Sequence, residues 1–370
     1  MHANLPKLPP VWLVKTLNRF RSFLLKLNKH LFPGNVVLYE QFQYFWLLPS
    51  LYVAAKLNVA EVLKDKPLAA DDLARKVGAD PDSIYRVMRA LSSQGIFHER
   101  RDGRFQLNSI SRGLLDTPGS MRYALLHHLG PVNWNLMSNL IYGVTTGKDS
   151  FANRYGMPIY DYLKQHPAEY ALFDSSMTNL SDLGLAPVLK AYDFSASGMM
   201  VDLGGGEGFL LANILHHYPL TRGILFDLPE AVEAAQLIFK EYGVTERAEI
   251  RTGDFFSAIP GDGDLYILKN IIHNWNDEDC ISVLENIRHS LKPHARILVI
   301  EMIIQNRNAP SLAPLLDIQM LACMNGGRER TPAEFSRLFD LAGFSITRII
   351  PTIAPISLIE AQPKTQRVHG

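Results

Sequence analysis

The spacing of apolar and polar positions changes character near residue 196. Beyond that point, short apolar runs alternate with stretches whose apolar residues recur every three to four positions. The runs at 199–203, 223–227, 248–252, 264–269 and 296–301 predict five strands, and the periodic stretches at about 208–217, 229–242, 277–291 and 332–342 predict helices. Regular alternation with short connections implies a parallel sheet covered by helices on both faces, a doubly wound α/β domain. Two further runs, 345–350 and 357–361, have no helix between them and predict two strands added at one edge.

Upstream the pattern is helical. Asp80-Pro81-Asp82 opens a helix, with Asp80 as its cap and Pro81 in its first turn. Ile84, Val87, Met88 and Leu91 then mark one apolar face. The segment 96–107 predicts two short strands around Asp102-Gly103. With a helix over 70–77 this makes a winged helix-turn-helix pattern. Arg86, Arg89, Arg100, Arg101 and Arg104 on such a module could meet nucleic-acid phosphates, or the module could have kept its shape as a dimerisation device. Residues 111 to about 195 are helical and rich in aromatic residues and methionine, suited to a core or to the wall of a substrate pocket. The expected organisation is an extension over 1–35, a winged-helix domain over 36–115, a helical connector over 116–195 and a catalytic domain over 196–370.

In residues 1–35, Val14, Leu17, Phe20, Leu24, Leu27 and Leu31 recur at helical spacing among Lys15, Arg19, Arg21, Lys26 and Lys29. Two readings stand: a helix lying on an anionic membrane surface, or an arm packed on its own body or on a second subunit.

Charge narrows the function. Lys plus Arg number 37 and Asp plus Glu 37, and this balance argues against a protein built to grip phosphate backbones. It therefore favours the dimerisation reading of the winged helix, with no nucleic-acid partner. Two cysteines, Cys280 and Cys323, imply no disulfide framework and fit a reducing compartment. No apolar run is long enough to span a bilayer, and charges at Lys15, Arg19 and Arg21 interrupt any signal-like core. The expectation is a cytoplasmic protein.

The chemistry is concentrated at strand ends. Residues 201–209 read V-D-L-G-G-G-E-G-F, a strand, a tight glycine turn and a helix start whose free N–H groups can meet a ligand. Gly204, Gly206 and Gly208 fall one residue short of the dinucleotide fingerprint, and no triphosphate loop is present. The next strand ends in Asp227, placed to accept both hydroxyls of a ribose. A third strand ends in R-T-G-D-F-F, where Asp254 suits an adenine amino group and Phe255 can pack on its ring. Acids and a tight loop with no phosphate cradle fit S-adenosylmethionine, a sulfonium cation without phosphate. Ligands in such sheets sit beyond the carboxyl ends of the strands, and His273, Glu301 and Glu329 leave on that same rim. An imidazole titrating near pH 6.5 can take a hydroxyl proton, and the two glutamates can hold its other nitrogen. Alone, His273 reads equally well as a structural histidine; the two acids favour catalysis. No His, Cys and Asp set has metal-ligand spacing.

From about residue 40 onward the chain resembles the caffeate/hydroxyindole type of small-molecule O-methyltransferase. The shared motifs are V-D-L-G-G-G-E-G, F-D-L-P, G-D-F-F, L-K-N-I-I-H-N-W-N-D-E-D-C, V-I-E and G-G-R-E-R-T-P-A-E-F. The resemblance implies a Rossmann-like methyltransferase sheet behind a mostly helical winged-helix dimerisation domain, and a homodimer. It assigns Gly204, Gly206, Asp227, Asp254, Phe255 and Lys269 to S-adenosylmethionine, His273 to the base, and Glu301 and Glu329 to its orientation. By position it places Phe173, Met177, Met320 and Asn325 against the substrate, a small hydroxylated and largely apolar metabolite. Two features depart from the family: Asn274 follows the histidine where Asp is usual, and the basic stretch before residue 35 is long.

Overall fold

The computed structural model describes residues 8–305 and 310–364. They fall into two compact units. The larger holds the described residues up to Arg19, Asn139–Ile159 and those from Gly184 onward; the smaller holds Phe20–Ser138 and Tyr160–Leu183.

In the smaller unit the helices Ala70–Val77 and Pro81–Ser93 carry the expected pattern. The Asp80 carboxylate accepts from Ser83 N at 2.8 Å, closing the first turn of the second helix. Ile84, Met88 and Leu91 are buried with Phe97 and Phe105 in one core. The wing is smaller than the sequence suggests: β1 (His98–Glu99) pairs antiparallel with β2 (Phe105–Gln106) over two residues each, around a five-residue loop. On its other side Phe105 pairs with Leu68, its N–H and carbonyl bonded at 2.8 and 3.0 Å. Four of the five arginines singled out on this module are partnered locally. Arg104 and Arg100 pair with Asp102, Arg86 with Asp82, and Arg89 lies over the Tyr85 ring.

The larger unit is built on a seven-stranded sheet. Its strands are β3 (Met199–Leu203), β4 (Arg222–Asp227), β5 (Ala248–Thr252), β6 (Leu265–Lys269), β7 (Arg296–Met302), β8 (Phe344–Pro351) and β9 (Ile356–Pro363), in the order β5-β4-β3-β6-β7-β9-β8. The first five are parallel, and the last two run antiparallel as an edge hairpin. In β3, β4, β6 and β7 both faces are buried, so these strands are apolar on both sides rather than alternating. On one face Val201, Leu203, Tyr266, Leu268, Ile297 and Val299 pack with helices Asp277–Ser290 and Pro332–Leu341. On the other, Met200, Leu225, Ile267 and Ile300 pack with helix Phe209–His217.

Two expectations are corrected here. The stretch 229–242 is a tight turn at Pro229–Ala231 followed by a helix only at Ala235–Glu241, because Pro229 starts a 3-10 turn that ends before the apolar face resumes. A helix at Ala313–Cys323 was not expected; its apolar residues go almost all the way round and leave no clear period.

Candidate active site

The sheet order reverses direction at β3, with β4 and β5 on one side and β6 and β7 on the other. Such a switch opens a crevice at the carboxyl ends of β3 and β6. β3 ends at Leu203, and Gly204, Gly206 and Gly208 all take positive φ, which brings the chain round tightly into helix Phe209–His217. Above Gly206 there is open space, with no heavy atom within 4 Å of where a Cβ would stand. Asp227, at the end of β4, holds this loop: its Oδ2 accepts from Gly206 N at 2.8 Å and its Oδ1 from Leu228 N at 2.7 Å. Burial raises the Asp227 pKa. Each oxygen keeps a second lone pair for a ligand hydroxyl.

Phe255 lies partly buried beside Phe256 and Trp275, with its ring centroid 5.1 Å and 6.3 Å from theirs. Its loop is held by Asn286 Nδ2, which donates to the carbonyls of Phe255 and Phe256. Asp254 is exposed and accepts from Phe256 N at 2.9 Å. Lys269 ends β6, and burial brings its ammonium down to about 8. Asp202 in β3 is fully buried, neither of its oxygens has a hydrogen-bond partner, and burial pushes its carboxyl up to about 7, an effect the Lys269 charge opposes.

Past Lys269 the chain turns through Asn270, at φ +55°, into a short 3-10 turn at Ile272–Asn274 that carries His273. His273 is 8% exposed, Glu301 0% and Glu329 3%. His273 N donates to Glu301 Oε1 at 3.1 Å, and Nδ1 lies 2.7 Å from Glu329 Oε1. A carboxylate only accepts, so Nδ1 bears the hydrogen and Nε2 keeps its lone pair. Burial pulls the imidazole pKa down, but the Glu329 hydrogen bond and the charges of Glu301 and Glu329 outweigh it and leave it raised. Burial pushes Glu301 up to about 7, with the His273 charge opposing.

Glu329 is aimed by its own backbone. Its N–H donates to Asp317 Oδ1 at 2.8 Å, Arg328 N to His273 O at 2.8 Å, and Ile304 N to Arg330 O at 3.0 Å. Gly327 passes so close to the histidine turn that a Cβ there would stand 2.8 Å from His273 O and 2.9 Å from Asn274 O. Arg330, 1% exposed, clamps the turn from behind. It donates to Ile272 O at 3.0 Å, Trp275 O at 2.9 Å and Asp277 Oδ1 at 2.8 Å. Asn274 gives Nδ2 to Asn270 O at 3.2 Å, a bond that an Asp at this position could not donate.

All nine residues expected for cofactor and base belong to the larger unit, as do Met320 (buried) and Asn325 (exposed). Phe173 and Met177 belong to the smaller unit, where the Phe173 ring packs on those of His127 and Tyr160. Sequence reasoning missed Arg330 and Asp202. An acid inside the apolar run V-D-L was the available signal for Asp202. Arg330 sat in the charge run R-E-R-T, which reads as solvated surface.

Comparison with known proteins gives the chain's relatives. An O-methyltransferase domain matches residues 137–345 and an O-methyltransferase dimerisation domain matches 39–117. The phenazine O-methyltransferase of Lysobacter antibioticus is 35% identical over 332 residues, 90% of this chain and 97% of that protein. The 8-amino-8-demethylriboflavin N,N-dimethyltransferase of Streptomyces davaonensis is 32% identical over 317 residues, 84% of this chain and 90% of its own. Human N-acetylserotonin methyltransferase, solved in complex with S-adenosylmethionine, superposes with a TM-score of 0.83 at 28% identity, covering 90% of this chain and 99% of that one.

Proposed function

Since this chain belongs to the O-methyltransferase family and is an S-adenosylmethionine-dependent enzyme, we propose that it methylates a phenolic or enolic hydroxyl of a small, largely apolar secondary metabolite, with His273 as the general base. The observation that carries this reading is the buried 2.7 Å contact between His273 Nδ1 and Glu329, beside a glycine loop held by Asp227.

The site fits the cofactor. The open face of Gly206 can admit a ligand backbone, the Asp227 oxygens suit ribose hydroxyls, Phe255 offers a ring face for adenine with Asp254 at its edge, and Gly204 and Lys269 border the loop. When bound, S-adenosylmethionine supplies an electrophilic methyl carbon on a sulfonium. His273 Nε2 then takes the acceptor's hydroxyl proton as the oxygen attacks. Glu329 fixes the tautomer and stabilises the imidazolium, and Glu301 holds the turn through the His273 N–H. Phe173, Met177, Met320 and Asn325 are proposed to face the acceptor, with a homodimer assembled through the dimerisation domain over 39–117.

A second reading has support in one observation: a relative of similar identity is named for dimethylating an amine. The test is methyl transfer from labelled S-adenosylmethionine to a panel of phenols, quinols, polyketide-like enols and arylamines, with wild type and His273→Ala in parallel. A hydroxyl acceptor whose rate falls about 10²–10⁴-fold in the variant is expected. Equal rates would make His273 structural, and transfer to arylamines alone would favour the second reading.

A further inference from the structure

We propose that helix Val11–His30 is an anchor that lays the enzyme on an anionic lipid surface. No residue of this helix is buried. Only its opening turn rests on the chain, with Val11, Leu13 and Val14 half-buried and Lys190 Nζ donating to Leu8 O at 2.9 Å just before it, so an arm packed down along its length, one of the alternatives left by the sequence, is not what the structure shows. The exposed side chains are also sorted. At 100° per residue, Trp12, Leu17, Phe20, Phe23, Leu24 and Leu27 fall within an arc of about 140°, each between 46% and 67% exposed. Lys15, Arg19, Arg21, Lys26 and Lys29 all lie outside that arc, and the helix has no Asp or Glu. Leu25, 46% exposed, is the one large apolar side chain that falls among them; a Trp, Phe and Leu face opposite a mainly basic one without acids is the pattern of a helix lying in the plane of a membrane interface.

Charge selects the occupant. A second copy of this chain has zero formal net charge, whereas an anionic bilayer supplies counter-charge to all five cations at once. The dimerisation domain begins at residue 39, beyond the end of the helix, and has its own exposed aromatic residues in Tyr39, Phe42 and Trp46. The helix is too polar to cross a bilayer, and no helix among the described residues is long and apolar enough to do so. Residence at the interface would place the enzyme where apolar acceptors accumulate.

The test is co-sedimentation of the full chain with phosphatidylcholine vesicles, with and without phosphatidylglycerol. Partition should rise with the anionic lipid and fall with salt. Lys15→Glu/Lys26→Glu should weaken it by at least about 25-fold, at about fivefold per lost cation. Trp12→Ser/Phe20→Ser should abolish it. Both double variants should bind S-adenosylhomocysteine as wild type does, since the substituted side chains are not part of any core. Equal partition to the two vesicle types, or none to either, would overturn the proposal. Failure to sediment together with a loss of dimer mass in Trp12→Ser/Phe20→Ser would assign the face to a second copy.

Discussion

Glu329→Gln isolates the charge of the proposed dyad from its geometry. The amide oxygen can still accept the Nδ1–H that Glu329 Oε1 accepts at 2.7 Å, so the ring keeps its tautomer and direction. What is lost is the negative charge facing the imidazolium that forms as the acceptor gives up its proton. With charge centres about 4 Å apart and an effective dielectric of 20, that attraction is about 4 kcal/mol, near a factor of 10³ in rate. Glu301 keeps part of the compensation, so kcat should fall about 10²–10³-fold. The pH profile should move as well. His273 must be neutral to act, so wild-type activity rises with pH through an imidazole pKa that the two glutamates hold above its ordinary value. Without the Glu329 charge, burial weighs more heavily and the pKa drops, so the acid limb of the variant should lie at lower pH while its plateau is lower. Labelled methyl transfer across the neutral range, under saturating cofactor, measures both. A variant within about threefold of wild type, with its acid limb unmoved, would refute the dyad.

Two further variants probe what surrounds it. Arg330→Met leaves the buried carbonyls of Ile272 and Trp275 without their donor and leaves Asp277 only the more distant Arg337, at 3.8 Å, a loss of about 3–5 kcal/mol in urea unfolding; a change under about 1 kcal/mol would show that the turn holds itself. For Asp202→Asn, the folded carboxyl is raised from 3.8 to about 7, so its stabilising contribution is full below 3.8 and is lost as pH rises through about 7. Denaturant midpoints of the variant should therefore fall less than those of wild type between the two values, and parallel curves would mean that Asp202 ionises as it does in the unfolded chain.

Some of this architecture was legible because its physics is local. Strands buried on both faces are apolar runs bounded by turn residues, so β3, β4, β6 and β7 could be placed to within a residue or two. Asp227, His273 and Glu301 were visible because they sit where an apolar run stops. Arg330 was not, because its partners are carbonyls of a turn more than fifty residues earlier, and a guanidinium satisfied by backbone oxygens leaves no trace of them in composition. The helix Ala313–Cys323 escaped for a different reason: its amphipathic contrast is weak, and its place depends on contacts with other helices rather than on its own period.

The acid paired with His273 and the arginine that clamps its turn are neighbours in the chain, Glu329 and Arg330, and Arg330 bridges to Ile303 just past the end of β7. In extended backbone consecutive side chains point to opposite sides. The segment therefore works as a fixed reading frame. One residue gained or lost between Gly327 and Thr331 would turn a guanidinium toward the imidazole and a carboxylate toward the carbonyls, reversing the sign of both contacts at once. Point changes elsewhere in the chain can reshape what the enzyme accepts, but a length change in these few residues would take the acid from His273 and the clamp from its turn together.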